Sequence, residues 1–186
     1  SAFLQQYYLI NVAVPAALIG VLLLVGKIWD AINDPIFGVI VDKSRLKAGK
    51  YLPWMRISTI LLPIIASLLF FVPLDASIGV KGAFLLIGYM FYDAVCTMTE
   101  VPYFAITTAM TTNPIERSKV ISLSKLIGAV PLVVVLFIPT MYTTIGWKPT
   151  IIIFAVLAMV SMLPGCFILK ERALVRAEKA PKLKEL

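Results

Sequence analysis

Apolar stretches long enough to cross a bilayer recur along this chain, and short polar segments separate them. A hydrocarbon core about 30 Å thick needs roughly 20 helical residues, since only helices and closed barrels satisfy backbone polar groups away from water. The pattern predicts helices over about 2–12, 16–41, 52–72, 79–110, 118–143 and 149–170. The first run is too short to cross, so it reads as the end of a truncated first span. Residues 1–172 are expected to form one all-α integral membrane bundle of six transmembrane helices. Residues 173–186 are rich in Lys and Glu and read as a cytoplasmic linker.

Composition agrees with lipid as the main solvent. Hydrophobic residues make up 60% of the 186 positions and charged residues 15%, with a mean hydropathy of +0.95. Soluble domains run nearer to about 45–50% apolar and about 25% charged. The net charge of +7 does not form one basic face, which argues against nucleic acid as a partner. Its residues gather in alternate connections: Lys43, Arg45, Lys47, Lys50 and Arg56, then Arg117 and Lys119, then a tail from Lys170 to Lys184. The positive-inside rule places these in the cytoplasm. The expectation is a multi-pass protein of the cell (inner) membrane with both ends of the segment cytoplasmic. The first run lacks a basic leader and a cleavage signal, so it is not expected to be a signal peptide. Cys96 and Cys166 lie in apolar runs and His is absent, which leaves no raw material for a disulfide framework or a Cys/His zinc site.

Ionisable groups at bilayer depth cost at least roughly 2.5 kcal/mol each by insertion scales, so each is a functional candidate. The second predicted helix carries Lys27, Asp30 and Asp34 at i, i+3 and i+7, on one face with Gly20 and Gly38. Two carboxylates one turn apart supply four hard oxygens, the ligand type that sodium or a proton requires. Glycines on that face would admit a neighbouring helix. The plainer alternative is a structural Lys27 salt bridge, with Asp34 preceding a kink at Pro35. The fourth helix presents a second acidic stripe, Asp93, Thr97 and Glu100, and Pro102 frees a backbone carbonyl nearby. Lys125, beside Ser122 and Ser124, either balances the acids or snorkels to the cytoplasmic face. Tyr103 and Phe104 are one turn from Glu100 and offer planes on which a sugar ring could stack.

Three blocks carry a family likeness. KIWDAINDPIFG over 27–38, followed by Asp42, Lys43 and Gly49 to Tyr51, resembles the glycoside/pentoside/hexuronide:cation symporters, as do TMTEVPYF over 97–104 and NPIER over 113–117 leading to Lys125. The resemblance implies a major-facilitator fold, in which two six-helix bundles rock about a midplane site, with this chain as the first bundle. It implies that Asp30 and Asp34 bind the coupling cation, Na+ or H+, with Thr97 and Glu100. It further ties Glu100 to the sugar and matches Lys27 and Lys125 to basic positions of the family; with Asp93 of the acidic stripe and the ring faces of Tyr103 and Phe104, these residues are expected at the substrate. Gly38, Asp42, Lys43, Gly49 and Lys50 resemble the superfamily's cytoplasmic latch. Glu100 stands where Asp is usual, and Lys125 and Lys27 where Arg is common, so reach and bidentate geometry differ and the sugar cannot be transferred.

Expected partners are the bilayer, a sugar or glycoside, and a second six-helix bundle, with no cofactor beyond the coupling ion. Two other classes stay open: a lipid or drug carrier of the same fold, and a non-transporting scaffold or sensor whose acidic stripes only lock helices. An enzyme is not expected, because no nucleophile and base pair is legible.

Overall fold

The computed structural model describes residues 2–44, 49–110, 113–128 and 130–168. Among them the chain forms eight helices and no strand: α1 (Ala2–Ile10), α2 (Ala16–Lys43), α3 (Leu52–Leu68), α4 (Ile78–Met110), α5 (Pro114–Gly128), α6 (Val130–Val135), α7 (Ile138–Ile145) and α8 (Trp147–Ile168). The predicted tail, 173–186, lies outside the described residues, as do Arg45, Lys47 and the basic residues from 170 onward.

Three helices are long and apolar enough to cross a membrane, at Ala16–Lys43, Ile78–Ile106 and Trp147–Phe167; α3 and the stretch Val133–Ile145 are shorter apolar helices. On α2 the lipid-compatible stripe is plain. Val21, Leu24, Val25, Ile28, Ile32, Ile36 and Ile40 are exposed at helical spacing, whereas Ile19, Gly26, Asn33 and Val41 are buried on the opposite side. A soluble helix would not leave seven large aliphatic side chains uncovered on one face.

The predicted helix over 118–143 is divided. Its proline-bearing half becomes α6 and α7, joined by a turn in which Leu136 and Phe137 donate to the carbonyls of Val133 and Val134. Pro139 sits in the first turn of α7, where a missing N–H costs nothing. Gly146, at φ +86°, ends α7 in a backbone region that favours glycine. Helix α3 stops at Leu68 rather than at 72, because Pro73 disfavours helical backbone before it and the chain closes in i to i−3 turns.

Helix α4 is the centre of the packing, with α2 on one side and α3 on the other; α3 also packs on α8, and α8 on α7. The short α1 is pinned through side chains. Tyr7 and Tyr8 are buried and donate hydroxyl hydrogens to the carbonyls of Phe70 and Leu69, each at 2.9 Å. Those carbonyls lie past the end of α3, where no intrahelical donor remains, so the tyrosines act as its C-terminal cap. Val12, Val14, Leu85 and Tyr89 complete this apolar cluster.

The glycine expectation needs correction. Gly20 and Gly38 face open space, with nothing within 4 Å of a built Cβ, because they point away from the α2/α4 contact. The close approach is made by Gly26, where a Cβ would meet the Tyr89 ring at 2.6 Å, and by Gly88, where it would meet Leu69 at 2.6 Å.

Candidate functional site

Helices α2 and α4 run in the same direction with a nearly constant register. Gly26 packs on Tyr89, Trp29 Nε1 donates to the Met90 carbonyl at 3.2 Å, and Asp34 meets Thr97. This register sets Asp30 level with Asp93. Two acidic stripes that sequence spacing puts on separate helices therefore share one seam.

Thr97 is the hub of that seam. Its hydroxyl accepts from Asn33 Nδ2 at 2.9 Å and donates to Asp34 Oδ1 at 2.7 Å; the Asp93 carbonyl, one turn back, lies at 3.2 Å as a second acceptor for the same hydrogen. Thr97 and Asn33 are buried, whereas Asp34 is exposed at the edge of the contact. Asn33 is the residue sequence reasoning passed over. The available signal was its place on the stripe Gly26, Asp30, Asn33, Phe37, since an amide flanked by intramembrane aspartates has to find a partner.

The remaining predicted residues divide by environment. Lys27 Nζ pairs with Asp30 Oδ2 at 3.0 Å, with side chains 65% and 32% exposed, so the plainer salt-bridge reading of Lys27 describes a contact that exists. Among the described residues Asp34 is left with Thr97 rather than a basic side chain. Asp93 is only 7% exposed, and its Oδ2 is buried without a hydrogen-bond partner. Glu100 is exposed on α4, one turn past Cys96. Tyr103 and Phe104 are also exposed and stand edge to face with centroids 5.4 Å apart. Lys125 is exposed in the last turn of α5, and among the described residues it makes no ion pair with the acids of α2 or α4. Pro102 is fully buried within α4 and leaves the Met98 carbonyl without its usual donor.

Among the described residues no three carboxylate, thiol or imidazole groups converge as a metal shell. What the seam offers is a mixed oxygen set: carboxylates, a threonine hydroxyl and an amide. A cavity of about 360 Å³ between α3 and α4, lined by Ile65, Leu68, Phe84, Ile87 and Phe91 among others, holds no charged group and is separate from this seam.

At the end of α2 the proposed latch residues lie close together. Lys50 Nζ pairs with Asp42 Oδ1 at 2.9 Å and stands over the Tyr51 ring. Burial works against the charged lysine, but the Asp42 carboxylate and Tyr51 outweigh it, and the Lys50 pKa lies above its ordinary value. Gly49 has φ +116°, which an L side chain would adopt only under strain. Ser44 caps α2 through the Val41 carbonyl and accepts from Trp54 Nε1 at 3.1 Å, tying α2 to α3. Lys43 is exposed in the last turn of α2, where a cation suits the helix dipole.

Comparison with known proteins places this arrangement in context. The sequence profile of a family described as MFS/sugar transport protein matches residues 1–185. The isoprimeverose transporter of Lactiplantibacillus pentosus is 28% identical over 170 residues, covering 86% of this chain and 35% of that protein. The glucuronide carrier protein homolog of Escherichia coli is 33% identical over 117 residues, 63% of this chain and 26% of the relative. The sodium-dependent lysophosphatidylcholine symporter 1 of Mus musculus is 36% identical over 124 residues, 62% of this chain and 22% of the relative. The matched stretch is thus about a third or less of each of these relatives.

Proposed function

This chain belongs to the MFS/sugar transport protein family, and from that premise we propose that it forms the N-terminal bundle of a secondary active transporter coupling a monovalent cation, Na+ or H+, to movement of a sugar or glycoside. The observation that carries the reading is the Thr97 hydroxyl bridging Asn33 and Asp34 across the α2/α4 seam, with Asp30 and Asp93 one turn away. Relatives named for isoprimeverose and glucuronide transport support a sugar-type substrate.

In this mechanism a cation settles against Asp30 and Asp34, with Thr97 and Asn33 completing its oxygen shell and Glu100 at its edge. The bound charge offsets the repulsion between the carboxylates and favours the conformation that takes sugar. By linkage, sugar tightens the cation in return. Lys27, Glu100, Lys125, Tyr103 and Phe104 present charge and ring faces to the substrate. A second bundle closes the cavity, and alternating access exposes it to each side in turn. The Asp42–Lys50 pair and Gly49 hold the cytoplasmic loop that engages that bundle, with both ends of the segment in the cytoplasm of the inner membrane.

The test is uptake by the complete gene product in proteoliposomes under an imposed sodium or proton gradient. Asp30→Asn and Asp34→Asn are each expected to abolish gradient-driven uptake of the transported sugar. Uptake that stays at the wild-type rate in both variants would refute the assignment. A lysophospholipid-type substrate is the second reading, favoured by the identity to a sodium-dependent lysophosphatidylcholine symporter. It predicts sodium-driven uptake that no sugar in a panel inhibits.

A further inference from the structure

Asp93 poses a question that the cation and sugar roles above do not answer. It is 7% exposed, and its Oδ2 is buried with no hydrogen-bond partner. Three neighbouring donors are committed elsewhere. The Lys27 ammonium is on Asp30 Oδ2, the Asn33 amide is on Thr97, and the Thr97 hydroxyl hydrogen is shared between Asp34 Oδ1 and the backbone oxygen of Asp93. An anionic oxygen held away from water with no donor is strongly unfavourable unless a metal cation, or a proton shared with a facing carboxylate, sits against it. The parallel register of α2 and α4 places Asp30 directly opposite, and Lys27 engages only one of its two oxygens.

We infer that Asp93 Oδ2 and Asp30 together seat an alkali cation, one helical turn from the Asp34–Thr97 contact. This moves Asp93 from the sugar to the ion. Its oxygen is shut inside the helix contact, out of reach of a hexose. Hard carboxylate oxygens from two helices suit such an ion. Filling the seat draws α2 and α4 together at this depth, so the ion's arrival is felt along the seam. The inference rests on the cation-coupled reading above and extends it to a ligand that neither the comparisons nor helical spacing assigns.

The test uses the complete gene product, purified and carrying Trp29 as its sole tryptophan. Trp29 precedes Asp30 and hydrogen-bonds across the seam, so its fluorescence reports the seat. NaCl or LiCl is titrated against choline chloride at constant ionic strength and fixed pH. Asp93→Asn is expected to raise half-saturating sodium by about tenfold or more, the loss of one charged ligand. Asp93→Glu is expected to bind still, but with an altered preference between Na+ and Li+, which a purely structural carboxylate would not change. Gel filtration and far-UV circular dichroism accompany each variant. If Asp93→Asn does not fold, an unchanged Na+/Li+ preference in Asp93→Glu overturns the inference. Unchanged sodium affinity in a folded Asp93→Asn overturns it too, as does a wild type that responds to pH but to neither alkali ion. Those results leave coupling through Asp30 and Asp34 standing, whereas uptake that survives both Asp30→Asn and Asp34→Asn removes the reading beneath it.

Discussion

Replacing Thr97 with Val removes one oxygen from a buried position and changes little else in shape. The structure says what is lost. Asn33 Nδ2, buried with its residue at 7% exposure, loses its acceptor at 2.9 Å, and Asp34 Oδ1 loses a donor at 2.7 Å. Interhelical hydrogen bonds in membrane proteins average about 0.6 kcal/mol and reach about 1.7 in double-mutant cycles. The Asn33 contact belongs near the upper end, because a stranded buried amide costs about 1–3 kcal/mol in its own right. The Asp34 contact counts for less, because that side chain is exposed and can find other donors. The expected destabilisation is therefore about 2–3 kcal/mol, with Thr97→Ser close to wild type since it keeps the hydroxyl. Reversible unfolding in mixed micelles would measure it, together with Asn33→Leu and the double variant. The cycle should return a coupling near 1 kcal/mol. Full additivity, or a Thr97→Val cost under about 0.5 kcal/mol, would show that the hydroxyl does not join the two helices, and the geometry argued for the cation seam would go with it.

The two kinds of glycine on α2 should behave oppositely. Gly26→Ala drives a Cβ into the Tyr89 ring and is expected to cost about 1–3 kcal/mol, whereas Gly20→Ala, in open space, should be neutral or gain up to about 1 kcal/mol, both read by the same unfolding assay. At the C-terminal end of α2, the Asp42–Lys50 pair should contribute no more than about 1 kcal/mol, given that Asp42 is 52% exposed. Since the folded Lys50 pKa is raised, that contribution is complete at neutral pH and disappears as pH climbs through and beyond the ordinary lysine value of about 10.4. Melting temperatures of wild type and Lys50→Gln should then differ at pH 7 and converge in strong base; a gap that widens with pH would contradict the pairing. Asp30→Asn, Asp34→Asn and the two Asp93 variants complete the set through uptake and sodium titration.

Much of this architecture follows from composition and spacing alone, because a bilayer admits few solutions. An apolar run of 20 or more residues has to be a helix where no water can satisfy its backbone, so α2, α4 and α8 are legible from hydropathy. The turn at 136–137 was legible in principle as well, since Pro139, and Pro131 before it, are written in the chain. Length overrode them here, because membrane helices often keep a proline in mid-span, as α2, α3, α4 and α8 do at Pro35, Pro63, Pro102 and Pro164.

The acidic residues of the site were visible one by one, for an aspartate at bilayer depth needs a reason. Their mutual arrangement was not. Helical periodicity put Lys27, Asp30 and Asp34 on one broad face with Gly20 and Gly38, yet which edge of that face meets α4 depends on a register of two helices more than 60 residues apart in the chain. Gly26 sets that register by letting the Tyr89 ring lie against the backbone of α2, and it turns Asn33 inward and Gly20 and Gly38 outward. The chemistry of each residue was thus determined along the chain, through transfer free energies that belong to single side chains. Who partners whom, and that Asp93 keeps a carboxylate oxygen with no donor, were decided only in three dimensions, because hydrogen bonds and close packing are properties of pairs.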